Sequence, residues 1–155
     1  PKRTHEAGSA EEALTMAAAI EQGKVPPDTT YTDTGSVKVG TFTIKNSDLK
    51  SHGVQTMNYV LQESLNTGAI FAMQQIGANV FHDYIKNFGF GSKTNFGLSE
   101  AAGDISGLET GKDIYALTGS FGQGMTVTTL QLTNAYAVMA NGGKLMKPNI
   151  VDEIR

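Results

Sequence analysis

The segment Ser9–Gly23 reads SAEEALTMAAAIEQG and predicts the first helix of the protein. Its apolar residues recur at intervals of three and four, which places them on one helical face: Ala13, Met16, Ala17 and Ile20. Ser9 and Glu12 have the spacing of a capping box, and Gly23 suits the position just after a helix. We therefore expect Ser9 to cap the helix. We also expect Glu12 to be exposed and ionised, since the positive end of the helix dipole favours a carboxylate.

Downstream of this helix, alternating apolar residues over 37–44 predict a β-hairpin. Gly40-Thr41 fits its two-residue turn. Further on, Lys144–Lys147 is expected to form a short extended piece before Pro148.

Helical periodicity predicts four more helices after the hairpin. The first of them follows Thr56, which fits an N-cap. The second and third run over about Asn66–Ile76 and Asn79–Phe88. The last begins at a capping-box pair formed by Thr128 and Gln131. Leu132, Ala135, Tyr136 and Met139 should form the inward face of the last of these helices. Residues 89–127 are rich in Gly, Ser and Thr and are expected to be mostly loop. The predicted fold class is mostly α (α+β), with about five helices and one hairpin in a single domain over residues 1–155.

Composition excludes several classes of function. The net charge is −3 and no Lys/Arg run occurs, so no nucleic-acid partner is expected. The absence of cysteine removes disulfides, thiol catalysis and thiolate metal sites. Three scattered histidines, His5, His52 and His82, do not suggest a metal site, and no cofactor is expected. No apolar stretch approaches the roughly 20 residues of a membrane-spanning helix.

Several strings resemble, in order, the transpeptidase domain of class B penicillin-binding proteins. They are TMAAAIEQGKV at 15–25, PDTTY at 27–31, Ser64-Leu65-Asn66, FGFG at 88–91, SFGQG at 120–124 and ANGG at 140–143. The resemblance runs from about Thr4 to Val151. It implies the helical lobe of the fold shared with serine β-lactamases, without the main sheet.

The resemblance implies peptidoglycan D,D-transpeptidation. In that reaction a serine attacks a D-Ala-D-Ala peptide and the acyl group passes to an amine, whereas penicillin traps the acyl-enzyme. The family uses Ser-x-x-Lys, Ser-x-Asn and Lys-Thr-Gly motifs. By resemblance, Ser9 is the nucleophile, and Ser64 and Asn66 relay protons and hold the substrate amide. The Gly122-Gln123-Gly124 turn would approach the same site. The implied partners are a peptidoglycan stem peptide or a β-lactam, and the implied location is the cell envelope, with a membrane anchor outside this chain.

The chain departs from the family pattern at its first motif, where Glu12 replaces the lysine and Glu11 replaces an apolar residue. Lys93-Thr94-Asn95 follows the FGFG string, so it is not the third motif, which would come after Val151. An exposed, ionised Glu12 would be a weak base. We therefore expect catalysis to be lost. Without a covering sheet, Glu11 and Glu12 should face solvent, and the uncovered face could drive homodimerisation.

Two other interpretations remain open on the sequence alone. One is a small promiscuous serine hydrolase or esterase that uses Ser9 or Ser64 with improvised partners. The other is a non-catalytic scaffold, designed or evolved, whose selected property is folding.

Overall fold

A computed structural model describes residues 2–149, and over this range the chain forms seven helices and three two-stranded antiparallel sheets. The helices are α1 (Ala10–Glu21), α2 (Met57–Glu63), α3 (Asn66–Ile76), α4 (Ala78–Asn87), α5 (Ser106–Glu109), α6 (Asp113–Gly119) and α7 (Thr129–Ala140). The strands are β1 (Thr4–His5), β2 (Thr30–Asp33), β3 (Ser36–Val39), β4 (Phe42–Lys45), β5 (Gly53–Thr56) and β6 (Val127–Thr128). The expected class, mostly α with a hairpin, is confirmed.

The predicted hairpin is the β3–β4 pair, in which Val39 lies opposite Phe42. Gly40 turns the chain with a φ of 58°, a left-handed conformation that glycine adopts at little cost. The pairs β2–β5 and β1–β6 were not predicted. Each joins short strands that are distant in sequence, so no local turn signal marks them.

The core is built around α1 and α3, which pack against each other along their small and aliphatic side chains. α4 and α6 pack on α3. The buried residues of this centre include Leu14, Met16, Ala18, Ala69, Ile70 and Met73. α2 approaches α3 closely at Gly68, where a β-carbon would overlap the Val60 side chain. α3 therefore lies at the centre of the helical packing, in contact with α1, α2, α4 and α6.

Three of the predicted helix signals are confirmed. α3 has the predicted bounds, Asn66–Ile76. Thr56 caps α2 by accepting a hydrogen bond from the Tyr59 backbone N–H. Thr128 and Gln131 form a complete capping box at the start of α7.

The prediction that residues 89–127 are mostly loop is wrong in part, because α5 and α6 lie within it. Both helices are short, and α6 is held by burial of Ala116 and Leu117 rather than by a long periodic stripe. Lys144–Lys147 forms no strand. The predicted inward face of α7 is displaced, since Gln131, Ala135 and Val138 are buried whereas Tyr136 and Met139 are 39% and 38% exposed.

The helices between residues 2 and 149 include none that is long and apolar enough to cross a membrane. The same residues contain no group of His, Asp and Glu side chains arranged to hold a metal ion. The end of the family resemblance at Val151 lies outside the described residues.

Candidate active site

Ser9 stands at the start of α1 and does not cap it. Its backbone is already helical, with φ −59° and ψ −11°, and its side chain makes no capping hydrogen bond. Gly8, with a φ of 59°, begins the turn instead, and its carbonyl oxygen accepts from the Glu11 N–H at 2.9 Å. The capping-box prediction for Ser9 is therefore wrong, and an exposed serine residue lies at the helix start without that structural role.

Glu11 and Glu12 are buried, with 0% and 2% of their surface exposed, so the expectation that they face solvent is wrong. α1 packs against α3, α4 and α7, and the Ser64 side chain at the end of α2 reaches Glu12 in the first turn of α1. Burial raises the pKa of Glu12 to about 7, while the hydroxyl groups of Ser64 and Ser9 act in the opposite direction. Loss of hydration at this site outweighs the helix dipole on which the sequence expectation rested.

Glu11 differs from its neighbour because neither of its carboxyl oxygens has a hydrogen-bond partner. Burial raises its pKa to about 8, so the carboxyl is mostly protonated at neutral pH. Tyr136 of α7 is close to both glutamates. Burial, followed by the charges of Glu11 and Glu12, raises the pKa of its phenol. The Tyr136 hydroxyl donates to the Ala10 carbonyl oxygen at 2.8 Å, which ties α7 to the start of α1.

Ser64 ends α2 in a left-handed conformation, with φ 55° and ψ 57°. Its Oγ donates to Glu12 Oε1 at 3.1 Å. Such a backbone is unusual for a residue other than glycine and persists only where surrounding contacts hold it. The structure thus joins Glu12 to Ser64 across 52 residues of sequence, and Ser9 lies one helical turn before Glu12.

Asn66 begins α3, and its side chain is bonded to the hairpin rather than to Glu12. Asn66 Nδ2 donates to the Lys45 carbonyl oxygen at 2.9 Å. The Asn66 side chain is therefore bonded outside the group formed by Ser9, Glu12 and Ser64.

A buried carboxylate that sequence reasoning missed lies against the start of α3. Asp33 accepts hydrogen bonds from Thr67 Oγ1 at 2.8 Å and Asn46 Nδ2 at 2.9 Å, and also from the Gly35 and His52 N–H groups. Burial alone would raise the pKa of Asp33, but these hydrogen bonds together lower it. No sequence motif marks Asp33, because its partners come from four separate places in the chain.

The glycine-rich turn at 122–124 lies beside Ser9, as the resemblance implied. The Gly8 N–H donates to the Gly122 carbonyl oxygen at 3.0 Å, and the Gly124 N–H donates to Glu6 Oε1 at 2.8 Å. A β-carbon on Gly122 would overlap the Gly8 backbone. The close approach of these two glycines sets the course of the chain into Ser9.

Lys93-Thr94-Asn95 forms a closed loop with Glu100. The Glu100 carboxylate accepts from Thr94 Oγ1 at 2.7 Å and from the Thr94 and Asn95 N–H groups. These contacts use the polar groups of the segment locally.

The comparison with known proteins is consistent over the whole chain. The model of the penicillin-binding protein transpeptidase domain matches residues 2–155. Stage V sporulation protein D of Bacillus subtilis is 37% identical over 153 residues, which are 97% of this chain and 24% of that protein. Penicillin-binding protein PbpB of Mycolicibacterium smegmatis is 34% identical over 152 residues, 94% of this chain and 23% of that protein.

Solved structures agree with this result. The apo transpeptidase domain of penicillin-binding protein 3 from Burkholderia pseudomallei superposes with a TM-score of 0.89 at 26% identity, covering 96% of this chain and 45% of that one. Penicillin-binding protein 3 from Mycobacterium tuberculosis, in complex with aztreonam, gives a TM-score of 0.89 at 30% identity, covering 97% and 34%. The chain spans about a quarter of the length of the curated relatives.

Proposed function

This chain belongs to the penicillin-binding protein transpeptidase family, of class B, and we propose that it forms the part of such a domain that carries the acylated serine, Ser9. Ser64 and Asn66 take the roles of the Ser-x-Asn motif, and Glu12 occupies the position of the motif lysine. The proposal treats residues 1–155 as one partial domain.

A single contact carries this proposal, the hydrogen bond from Ser64 Oγ to Glu12 Oε1. It joins the side chain one helical turn after Ser9 to the first residue of the second motif. A serine hydroxyl becomes an effective nucleophile only when a neighbouring group accepts its proton. The geometry supplies such a group beside Ser9, which supports an acyl-transfer site rather than a coincidence of sequence strings.

The proposed substrates are the D-Ala-D-Ala end of a peptidoglycan stem peptide and the β-lactams that resemble it. Relatives of known structure have been solved in complex with aztreonam and with ampicillin, which supports the second class. Peptides ending in D-Ala-D-Ala and penicillins such as ampicillin carry a carboxylate close to the reacting carbonyl. An ionised Glu12 repels that carboxylate, whereas a lysine would attract it. We therefore predict that Ser9 is acylated inefficiently. The loss of cross-linking turnover, which the sequence led us to expect, also remains a prediction.

The activity of the whole protein is a wider proposal. Residues 1–155 carry counterparts of the first two family motifs, so we assign peptidoglycan cross-linking to a complete domain that includes them. By relation to the family, that domain acts at the cell envelope outside the cytoplasm.

Intact-mass spectrometry after incubation with ampicillin tests the proposed function. We expect a covalent adduct that accumulates slowly, maps to Ser9 and is absent from Ser9→Ala. The matched control is Ser47→Ala, which removes an exposed serine elsewhere and should leave the adduct unchanged. An adduct on another residue, or none after prolonged exposure to excess drug, contradicts the proposal.

Self-association is a second part of the proposal. α7 leaves Tyr136 and Met139 partly exposed, and Leu145 and Met146 follow with 46% and 57% exposure. These side chains support homodimerisation through this side of the molecule. Sedimentation velocity over a range of concentrations measures it, and a monomer throughout that range would exclude it.

A further inference from the structure

The replacement of the motif lysine by Glu12 places a buried carboxyl one helical turn after Ser9. Ser64 Oγ donates to Glu12 Oε1 at 3.1 Å, and the i, i+3 spacing on α1 puts Ser9 and Glu12 on the same side of the helix. Ser9 itself is exposed, while Glu12 is 2% exposed. A reagent or a water molecule can therefore reach Ser9 from solvent, while the group that can accept a proton there is buried.

The surroundings of Glu12 contain little charge. α3 has no titratable side chain, and α7 contributes Tyr136, whose pKa is raised and which stays neutral. Glu11 on the same helix is mostly protonated at neutral pH because burial raises its pKa to about 8. The remaining titratable residues on the neighbouring segments are Glu6 before α1, Tyr59 and Glu63 on α2, and His82, Asp83, Tyr84 and Lys86 on α4. Of these, Tyr84 contacts α1 at its far end, where its hydroxyl accepts from Gln22 Nε2 at 3.0 Å.

These features suit Glu12 as a general base near neutral pH. Burial raises its pKa to about 7, so the carboxyl is about half ionised at pH 7, and a base is most effective when its pKa lies near the working pH. A glutamate with an ordinary pKa would be ionised but too weakly basic. The same burial disfavours a second negative charge beside Glu12, so the site discriminates against anionic substrates.

We propose that Ser9 is acylated by uncharged carboxylic esters, with Glu12 accepting the Ser9 proton and Ser64 passing it to the leaving group. This inference rests on the proposed function in one respect, the role of Ser9 as nucleophile. It differs in the base and in the substrate class, which here carries no carboxylate.

The reaction balances with the groups present. Ser9 Oγ attacks the ester carbonyl carbon while its proton moves to the Glu12 carboxylate. The tetrahedral intermediate breaks its bond to the alcohol oxygen, and that oxygen takes the proton from Glu12 through the Ser64 hydroxyl. Acyl-Ser9 and a free alcohol result. Water then attacks acyl-Ser9, Glu12 accepts a proton from that water and returns it to Ser9 Oγ, and the carboxylic acid is released.

Acylation by p-nitrophenyl acetate tests the inference, with release of p-nitrophenol and the mapped acetyl adduct as readouts. We expect an adduct on Ser9 and a rate that rises with pH through about 7, following ionisation of Glu12. Glu12→Gln should lower the rate by about a hundredfold and remove this pH dependence. Glu11→Gln is the matched control, because it changes an equally buried neighbour that makes no contact with either hydroxyl. The Glu11→Gln variant should keep both the acylation rate and the pH at which that rate reaches half its maximum.

The charge of the ester tests the substrate class. Mono-p-nitrophenyl succinate differs from the acetate by a carboxylate, and we expect it to acylate Ser9 about tenfold more slowly after background correction. Equal rates would overturn the assignment to uncharged esters.

Other outcomes separate this inference from the proposed function. A full rate in Glu12→Gln, a flat pH profile in the unsubstituted chain, or an adduct away from Ser9 would overturn the inference. The last two measurements need no variant, so they hold even if Glu12→Gln does not fold. Acetylation of Ser9 without any ampicillin adduct would uphold the ester chemistry and reject the penicillin-binding role. An ampicillin adduct on Ser9 without acetylation would support the penicillin-binding role and reject the ester chemistry.

Discussion

At the scale of single residues, Glu11 and Glu12 show how adjacent side chains of one type acquire different properties. Both are buried at the start of α1. The Glu12 carboxyl accepts a hydrogen bond from Ser64, whereas both oxygens of Glu11 are unsatisfied. A buried polar group without a partner destabilises the folded state by roughly 1–3 kcal/mol. Glu12 is therefore the functional candidate, and Glu11 is a cost in stability.

Replacing Glu11 by leucine should stabilise the protein, because it removes the unsatisfied carboxyl and adds apolar contact. We expect a gain of about 2 kcal/mol in the free energy of unfolding at pH 5, and a larger gain at pH 8, where ionisation of buried Glu11 is an added penalty. Urea denaturation at the two pH values measures it.

Glu21→Leu is the matched control for this prediction, since Glu21 is an exposed glutamate on the same helix. Its effect should be within about 0.5 kcal/mol and independent of pH. A loss of stability in Glu11→Leu, or the same gain at both pH values, would show that Glu11 has a favourable partner.

At the scale of elements, the start of α1 is positioned by the turn at 122–124. Gly8 and Gly122 are in backbone contact, and Thr15 Oγ1 donates to the Ser120 carbonyl oxygen at 2.8 Å. The turn therefore holds α1 at two points, one just before Ser9 and one within the helix. Both glycines of the contact have positive φ angles, so the chain needs glycine there for its conformation as well as for space.

Gly122→Ala should destabilise the protein more than Gly142→Ala does. The two glycines have similar φ angles, 81° and 78°, so an added β-carbon strains both backbones by about 1 kcal/mol. Only at Gly122 would the β-carbon also overlap the Gly8 backbone, whereas the space around Gly142 is open. We expect a loss of about 3 kcal/mol or more at Gly122 and about 1 kcal/mol at Gly142, by chemical denaturation. Equal losses would mean that the loop moves freely to accommodate the methyl group.

At the scale of the whole molecule, two sets of carboxyl groups give opposite dependences of stability on pH. The folded-state pKa values of Glu11 and Glu12 are raised from 4.5 to about 8 and about 7. Their stabilising effect is full below the unfolded pKa and is lost as pH rises through the folded values. The pKa of Asp33 is lowered, so its contribution is present above its unfolded pKa and is lost as pH falls.

The protein should therefore be most stable at mildly acidic pH, about 5, rather than at neutral pH. Between that optimum and pH 7, the slope should approach about 1.4 kcal/mol per pH unit for each buried glutamate. Thermal denaturation from pH 3 to pH 9 measures this dependence. In the double variant Glu11→Gln/Glu12→Gln the decline toward alkaline pH should disappear. A stability maximum above pH 7 in the unsubstituted chain would contradict the buried state of these glutamates.

The sequence by itself determined the elements whose signals are local. The bounds of α3, the Thr56 cap, the Thr128–Gln131 capping box and the Gly40-Thr41 turn follow from side-chain chemistry and backbone preference within a few residues. The order of family strings likewise identified the family, because it depends on the sequence alone.

Only the tertiary structure decided what the residues of the candidate site do. Ser9 and Glu12 have the spacing of a capping box, and nothing local shows that other elements cover the first turn of α1. That cover removes water from Glu12, raises its pKa and leaves Ser9 without a capping role. The partners of Asp33 and the contact between Ser64 and Glu12 also join distant parts of the chain. Hydration and long-range hydrogen bonding are properties of the packed molecule, so they cannot be read from the spacing of residues in one segment.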